Sequence, residues 1–298
     1  MLQMNKVTKK FGSFKALDDL TMNVPEGAVY GLVGPNGAGK STSIRVLTGV
    51  YRPEKGAVTM EGLPVYENPA VKQRICSIPD EIFFFPSATM EDMEKYYRGI
   101  YPHFDRDLYK RLYEVFELPK KSPIRRFSKG MQKQAAFHLS ICTRPELLVL
   151  DEPVDGLDPV MRRQILSILL EDVAENGTTV LVSSHNLREL EDICDHVGIM
   201  DHGKMLLERS LADMQGNTVK LQLVGDTPEN LNILHESNSG RLKTLVVRGS
   251  AEEVAAAAKS TGPAYFDVLP LSLEEIFIYE LGGVNYEVKN ILLERHRP

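Results

Sequence analysis

The glycine-rich segment over residues 34–41 constrains the fold of this chain more than any other feature. It reads Gly-Pro-Asn-Gly-Ala-Gly-Lys-Ser, which fits the pattern G-x-x-x-x-G-K-[ST]. The apolar run over residues 28–33 predicts a buried strand before it, and residues 41–47 predict a helix after it. Glycines let backbone N–H groups converge on phosphate oxygens, and the helix presents its positive N-terminal end to the same anion. The segment therefore predicts a phosphate-binding strand–loop–helix unit of an α/β fold.

Side chains of this loop and two carboxylates further along predict one site for a nucleoside triphosphate and Mg²⁺. We expect Lys40 to reach the β- and γ-phosphates and the Ser41 hydroxyl to bind the metal. Residues 147–150 are all apolar and predict a buried strand that delivers Asp151 to the metal at its carboxyl end. Glu152 is then expected to point toward the γ-phosphate and polarise the attacking water. An apolar strand that ends in Asp-Glu is common by itself, and the phosphate loop is what makes it specific.

The order of the predicted elements favours a mostly parallel sheet that carries a helical insertion. The insertion has three stretches with helical spacing, at residues 90–100, 106–116 and 129–141. They are followed by a predicted helix, strand and helix, at residues 161–175, 178–183 and 187–194. Beyond Gly216 the pattern predicts strands and helices of a small α+β appendage, at residues 218–224, 242–247, 251–259 and 273–281.

The segment from Phe127 to Gln134, which opens the third helix of the insertion, carries a family resemblance. The segment reads Phe-Ser-Lys-Gly-Met at residues 127–131. Together with the phosphate loop and the strand that ends in Asp151, it resembles the signature of the ATP-binding-cassette (ABC) ATPases, Leu-Ser-Gly-Gly-Gln. Ser128 and Gly130 match the family, in which a hydroxyl, backbone N–H groups and a helix N-terminus grip the γ-phosphate. The alternative interpretation is that Ser128 is an ordinary helix N-cap.

Three further matches follow the order of the family's motifs. Residues 154–159 resemble the D-loop, which crosses between subunits. His185 matches the switch histidine that contacts the γ-phosphate, and Phe11 matches the aromatic residue that stacks on adenine. An aromatic side chain at position 11 could instead belong to the core.

One departure from the family concerns the Q-loop, whose glutamine joins the Mg²⁺ site to the transporter contact. Asp80 stands in its place, and aspartate can bind Mg²⁺ directly or through water. Residues 83–85 are three phenylalanines, at the position where ABC exporters form a groove for a coupling helix of the membrane subunit. These phenylalanines belong either to the core or, for one or two of them, to a docking surface.

The stretch from Lys120 to Lys133 holds six basic residues and no acidic one. It predicts a solvated basic face, which could also face anionic lipid.

The resemblance implies an α/β fold, that of a P-loop NTPase of the ABC ATPase type. It implies an antiparallel β-subdomain and an α-helical subdomain within residues 1–215, the latter at about residues 82–145. Residues 216–298 are expected to form the small α+β C-terminal appendage, without phosphate-binding chemistry.

The resemblance also assigns the site residues for ATP and Mg²⁺. Those expected to contact ATP are Phe11, Gly34, Pro35, Asn36, Gly37, Ala38, Gly39, Lys40, Ser41, Thr42, Ser128 and Gly130. The expected metal ligands are Ser41, Asp151 and Asp80, and the expected catalytic residues are Glu152, His185 and Lys40. Ser128 and Gly130 are expected to come from a second cassette, in a homodimer or heterodimer that sandwiches the nucleotide.

The implied function is that of the ATP-hydrolysing subunit of a bacterial ABC-2-like exporter, with peptide or drug-like cargo. Its expected partners are separate transmembrane permease subunits, through which it lies on the cytoplasmic face of the membrane. No apolar run approaches the length of about 18 residues that a membrane span needs. The net charge is 35 − 41 = −6, which argues against a nucleic acid partner. Three widely spaced cysteines, Cys76, Cys142 and Cys194, suit buried thiols in a reducing compartment.

The sequence has two alternative interpretations. A soluble ABC ATPase that acts on ribosomes or DNA usually has two cassettes in one chain or a long inserted coiled coil, and this sequence has neither. A P-loop kinase or GTPase would leave Ser128, Gly130 and His185 unexplained.

Overall fold

The computed structural model describes residues 1–215, 218–272 and 275, which form two compact units. The first unit contains Met1–His185 and Ile193–Glu208. The second contains Asn186–Asp192 and the described residues from Arg209 onward. The domain boundary expected at residues 215 and 216 stays a prediction. Among the described residues, no helix combines the length and the apolar character that crossing a bilayer would require.

Ten strands, which lie in the first unit apart from the last two residues of β10, form two sheets. The strands are β1 (Leu2–Phe11), β2 (Phe14–Val24), β3 (Val29–Val33), β4 (Lys55–Met60), β5 (Leu63–Pro64), β6 (Ile75–Ile78), β7 (Leu147–Asp151), β8 (Thr179–Ser184), β9 (His196–Asp201) and β10 (Lys204–Ser210). One sheet has the order β2-β1-β4-β5 with antiparallel pairing, and the other has the order β10-β9-β3-β8-β7-β6. The predicted combination of an antiparallel sheet with a mostly parallel one is confirmed.

The parallel sheet brings the ends of three central strands to one edge. β3 pairs in parallel with β8 and β9, and β7 pairs in parallel with β6 and β8. All residues of β3, β7 and β8 are buried, which is why apolar residues follow one another in these strands and do not alternate with polar ones. Val33 lies opposite Ser184, and Asp151 lies opposite Ser183. The residues that follow β3, β7 and β8 therefore converge at the carboxyl edge of the sheet, where such sheets bind ligands.

Six α-helices lie in the first unit, and most of them begin after a polar N-cap residue. They are α1 (Lys40–Leu47), α2 (Pro69–Lys72), α3 (Met90–Ile100), α4 (Arg106–Phe116), α5 (Lys129–Ile141) and α6 (Pro159–Asn176). Thr89 and Asp92 form a capping box at the start of α3, and Asp105 and Ser128 accept hydrogen bonds from the first turns of α4 and α5. The bounds predicted for the three helices of the insertion are the same as those of α3, α4 and α5 in the structure.

The prediction of a helix over residues 187–194 is wrong. Only Leu187–Glu189 forms a short 3-10 turn, and turns follow it. The physical reason lies at Asp195, whose backbone N–H donates to Val29 O at 2.9 Å and whose carboxylate accepts from Val29 N at 2.8 Å. These two bonds fix the chain beside β3 directly after the predicted helix, and residues 190–193 reach that position through turns.

The second unit is a four-stranded antiparallel sheet with a helix on one face. Its elements are α7 (Leu211–Gln215), β11 (Thr218–Val224), β12 (Asn232–Ser239), β13 (Leu242–Arg248), α8 (Ala251–Ser260) and β14 (Tyr265–Pro270), and the sheet order is β12-β13-β11-β14. Alternate residues of β11 and β13 pack with Val254 and Ala258 of α8 in a small apolar core. The predicted helix over residues 273–281 lies outside the described residues, except for Glu275.

His138 of α5 is a buried titratable group within the helical region. Its Nε2 lies 2.8 Å from Tyr109 O, and its ring contacts Tyr109, Tyr113 and Phe116. Its Nδ1 has no hydrogen-bond partner among the described residues. Burial lowers the pKa of His138 to about 4, so the imidazole is neutral in the folded chain at neutral pH.

The fold is therefore expected to lose stability in mild acid through His138. A histidine in an unfolded chain has a pKa near 6.5. Between about pH 6.5 and pH 4 the unfolded chain therefore binds a proton at His138 that the folded chain does not bind. The full contribution of neutral His138 to the free energy of unfolding is present above about pH 6.5, and it falls by on the order of 3 kcal/mol as the pH is lowered toward 4. Urea unfolding of wild type and His138→Phe across this range is the measurement, and the variant should show the flatter profile. Exposed His103→Gln is the control and should follow wild type; parallel profiles for wild type and His138→Phe would contradict the assignment.

Candidate active site

The loop between β3 and α1 has two positions that require glycine, one for its backbone conformation and both for lack of space. Gly39 precedes α1 at a φ of 106°, and a Cβ atom there would lie 2.8 Å from Ala16 O. A Cβ atom on Gly34 would lie 2.4 Å from Met200 O. The loop closes through a hydrogen bond from Ala38 N to Pro35 O at 3.1 Å. The first turn of α1, with Ser41 and Thr42, follows this loop after the carboxyl end of β3, and its free backbone N–H groups form an anion site there.

Lys40 is the side chain that links this loop to the end of β7. It is buried, and its Nζ donates to Gly34 O at 2.7 Å. The same Nζ lies 3.4 Å from Glu152 Oε1. The ammonium group therefore lies where the phosphate loop and the carboxyl end of β7 meet, and its contact with nucleotide phosphates stays a prediction.

The residues at the end of β7 are held by Ser183 of the neighbouring strand. Ser183 Oγ donates to Asp151 Oδ1 at 2.6 Å and accepts from Glu152 N at 3.0 Å. Glu152 has a φ of 50°, a left-handed conformation that costs free energy in a residue other than glycine. Ser183 could not be identified from the sequence, since a serine at a strand end has no signal until the register places it opposite Asp151.

The Glu152 side chain lies between two cationic or protonatable groups. Its Oε2 atom is 2.8 Å from His185 Nδ1, and its Oε1 atom is 3.4 Å from Lys40 Nζ. These three side chains, which come from separate parts of the sequence, form the Lys40–Glu152–His185 cluster. A phosphate bound at Lys40 would lie next to a carboxylate able to take a proton from water, with an imidazole to orient that carboxylate.

Asp151 and Ser41 fit a magnesium site of the kind that a nucleotide completes. Asp151 is a buried carboxylate at the carboxyl end of β7, and Ser41 is a hydroxyl in the first turn of α1. No group of three or more His, Cys, Asp or Glu arranged for a metal occurs within residues 1–215, 218–272 and 275. Mg²⁺ needs no such group where nucleotide phosphates and waters supply its other oxygens.

Ser128 and Gly130 lie at the start of α5, on the surface. Ser128 is exposed, and its Oγ accepts from Met131 N at 3.3 Å, so the N-cap interpretation describes its contact within this chain. A Cβ atom on Gly130 would meet Leu157 Cδ2 at an ordinary 3.5 Å, so packing within the chain does not require glycine there. The γ-phosphate role of both residues stays a prediction.

Phe11 lies outside the core. It is exposed near the tip of the β1–β2 hairpin, where its ring contacts Tyr51 edge-on at 5.5 Å and has Lys9 Nζ at 5.6 Å. The alternative of a core aromatic is therefore wrong for the described chain, and stacking on adenine stays a prediction.

Asp80 lies near a lysine that the sequence analysis placed on a basic surface. Lys133 Nζ is 3.8 Å from Asp80 Oδ1 and donates to Glu152 O and Asp155 O, both at 2.8 Å. The Lys133 side chain is 14% exposed and that of Asp80 54% exposed. Lys133 is thus not part of a solvated basic face, and that part of the prediction is wrong. Asp80 as a metal ligand stays a prediction.

The three phenylalanines after Asp80 divide between core and surface. Phe84 is 3% exposed, whereas Phe83 is 72% and Phe85 45% exposed. The rings of Phe83 and Phe85 lie edge-on at 6.1 Å, and Phe85 contacts exposed Tyr96 of α3 at 5.3 Å. Phe83, Phe85 and Tyr96 form a contiguous surface, here called the aromatic patch.

Comparison with known proteins places this architecture among transporter ATPases. The family model described as ABC transporter matches residues 17–155. The chain is 30% identical over 288 residues to the ABC transporter ATP-binding protein YtrB of Bacillus subtilis, with 95% of this chain and 99% of the relative covered. It is 33% identical over 211 residues to the bacitracin transport ATP-binding protein BcrA of Bacillus licheniformis, covering 70% of this chain and 69% of the relative. A solved structure of the ATP-binding subunit of an ABC transporter superposes with a TM-score of 0.67 at 28% identity, over 72% of this chain and 92% of that one.

Proposed function

This chain belongs to the ABC transporter family of ATP-binding proteins, and on that premise we propose that it is the ATPase subunit of an exporter with separate membrane-spanning permease chains. The similarity to a bacitracin transport ATP-binding protein supports a peptide or drug-like cargo. In such an assembly the chain lies at the cytoplasmic face of the membrane and is held there by the permease.

The observation that carries the proposal is the Lys40–Glu152–His185 cluster beside the phosphate loop. Lys40 and the backbone N–H groups of the loop bind the γ-phosphate and stabilise the charge that develops on it. Glu152 accepts a proton from the attacking water, since its carboxylate lies 3.4 Å from the phosphate-binding ammonium. His185, at 2.8 Å from that carboxylate, orients it. The products are ADP and inorganic phosphate.

Ser41 and Asp151 are the residues that would hold Mg²⁺ with the nucleotide. When bound, the ion neutralises charge on the phosphate oxygens. Ser183 fixes the Asp151 carboxylate by the 2.6 Å hydrogen bond and so presents it at the strand end. Asp80, predicted as a further ligand, has its Oδ1 atom 3.8 Å from Lys133 Nζ.

The nucleotide is proposed to be sandwiched between two cassettes. Ser128 and Gly130 supply the second side of the site from a partner chain, and Phe11 stacks on the adenine. The exposed start of α5, with a glycine that internal packing does not require, supports this arrangement. A helix N-terminus that covers the γ-phosphate adds hydrogen-bond donors and excludes water, which strengthens each electrostatic contact.

The permease is proposed to dock on the aromatic patch. Two of its three side chains directly follow the segment that contains Asp80, and large apolar side chains are the anchors that helix-in-groove docking needs. Buried aromatic anchors dominate the binding energy of such interfaces.

Phe83→Ser is expected to weaken the permease complex by about 30-fold or more, the effect of losing an anchor worth about 2 kcal/mol. The measurement is co-purification of the full chain with its permease subunits, followed by permease-stimulated phosphate release. Phe14→Ser is the matched control, because Phe14 is also exposed but lies in the β1–β2 hairpin. Equal loss in both variants, or none in Phe83→Ser, would contradict docking at the aromatic patch.

The function itself is tested by phosphate release from Mg-ATP with the full chain, alone and in complex with its permease in lipid nanodiscs. We expect hydrolysis in the complex and loss of nucleotide binding in Lys40→Ala. Hydrolysis in neither preparation would defeat the proposed function.

A further inference from the structure

Lys133 makes contacts that connect three segments of the first unit. It lies on α5, one turn after the signature-like start of that helix. Its Nζ donates to the backbone oxygens of Glu152 and Asp155, both at 2.8 Å, and lies 3.8 Å from Asp80 Oδ1. The ammonium is thus bound by the chain on both sides of the turn that follows β7, and it also faces the Asp80 carboxylate.

The backbone of Glu152 is fixed at both of its polar groups. Its N–H donates to Ser183 Oγ at 3.0 Å, and its C=O accepts from Lys133 at 2.8 Å. These bonds hold a residue whose φ of 50° is unfavourable for a side chain other than glycine. Because the direction of the Glu152 carboxylate follows from this backbone conformation, Lys133 helps to aim the proposed base at its water.

We propose that Lys133 is a positioning residue for Glu152, and that Asp80 affects hydrolysis through Lys133 and not as a metal ligand. The proposal rests on the proposed ATPase function and adds a route by which the permease would reach the base. An ammonium group has three N–H donors, and two of those of Lys133 go to carbonyl oxygens. At 3.8 Å the Asp80 carboxylate attracts the ammonium without an ordinary hydrogen bond.

The distance between the Asp80 carboxylate and the Lys133 ammonium therefore determines how strongly the two groups attract each other. Asp80 is more than half exposed and lies three residues before Phe83 of the aromatic patch. A partner that docks on the aromatic patch displaces the segment that contains Asp80. If Asp80 moves closer to Lys133, it draws the ammonium away from the carbonyl oxygens of Glu152 and Asp155. If Asp80 moves away, the ammonium keeps its hydrogen bonds to these oxygens. A displacement of about 1 Å at a catalytic group changes rates by on the order of a hundredfold, so a small movement suffices.

Lys133→Met tests the positioning role, since methionine keeps the apolar length and removes the donors. We expect kcat for Mg-ATP hydrolysis by the full chain with its permease to fall by about tenfold or more, while KM and the Kd for a fluorescent ATP analogue change by less than about twofold. Lys121→Met is the control, because Lys121 is exposed in the same basic stretch. An unchanged kcat in Lys133→Met, with an active wild type, overturns the inference alone; an inactive wild type defeats the proposed function instead.

Asp80→Asn separates the two roles of Asp80 by a titration with Mg²⁺. If Asp80 acts through Lys133, kcat and its stimulation by the permease change while the Mg²⁺ concentration for half-maximal activity stays the same. The double variant Asp80→Asn/Lys133→Met should then match Lys133→Met, because both changes remove one interaction. Glu81→Gln, next in the chain, is the control. An increase of about tenfold in the half-maximal Mg²⁺ concentration, or additive effects in the double variant, overturns the inference in favour of a metal ligand. Should Lys133→Met fail to fold, Asp80→Asn alone carries the test through its Mg²⁺ titration.

Discussion

Replacing Glu152 with glutamine is expected to slow ATP hydrolysis by about a hundredfold or more while nucleotide binding is retained. Glutamine has nearly the same shape, but its amide cannot accept the proton of the attacking water. The phosphate-binding groups, Lys40 and the loop backbone, are unchanged. The measurement is single-turnover phosphate release in parallel with the Kd for a fluorescent ATP analogue.

Glu146→Gln is the matched control for this variant, since Glu146 lies just before β7 and pairs with Arg74 at the opposite end of the strand from Glu152. It should hydrolyse ATP at the wild-type rate. A rate within a few-fold of wild type in Glu152→Gln would show that the base lies elsewhere.

The second large effect is expected from Ser128→Arg. An arginine at the exposed start of α5 would fill the space into which a second cassette must close, so hydrolysis should fall by about a hundredfold or more, the scale of losing an anion-stabilising donor. Binding of ATP to the single chain should be unchanged, because Ser128 contacts its own helix through Met131 N. Phosphate release and nucleotide affinity are measured as for Glu152→Gln.

Ser128→Ala separates closure from helix capping. It removes the N-cap hydrogen bond, at a cost of about 1 kcal/mol in stability, but adds no bulk. It should therefore keep much more activity than Ser128→Arg. Equal losses in the two variants would attribute the effect to the cap, and a normal rate in Ser128→Arg would refute the sandwich.

The parts of the fold that could be predicted are those whose signals are local. The helices α3, α4 and α5 begin at Thr89, Asp105 and Ser128, each an N-cap residue followed by helical spacing, and their predicted bounds match the structure. The strand before Gly34 and the strand before Asp151 are short apolar runs bounded by clear breaks. Both strands belong to one parallel sheet, so the residues that follow them, Lys40 and Glu152 among them, are expected to lie near each other.

The parts that could not be predicted depend on register and on contacts between distant segments. Ser183 becomes part of the site only because β8 places it opposite Asp151. Lys133 reads as one more basic residue in a surface stretch, and only the fold turns it toward Glu152 O. The wrong helix at residues 187–194 has the same origin, since the bonds between Asp195 and Val29 that fix the chain directly after it join residues far apart in the sequence.

The central claim, a nucleotide sandwich made by two cassettes, is tested most directly by sedimentation velocity of the Glu152→Gln protein with Mg-ATP and with Mg-ADP. The run is made on the full chain and on its complex with the permease, so that a partner cassette of a different sequence is also present if one is needed. Slow hydrolysis preserves the γ-phosphate that joins the two chains, and ADP lacks it. The account predicts a cassette dimer with Mg-ATP, monomers with Mg-ADP, and no dimer with either nucleotide once Ser128→Arg is added. The same sedimentation coefficient with both nucleotides would contradict it.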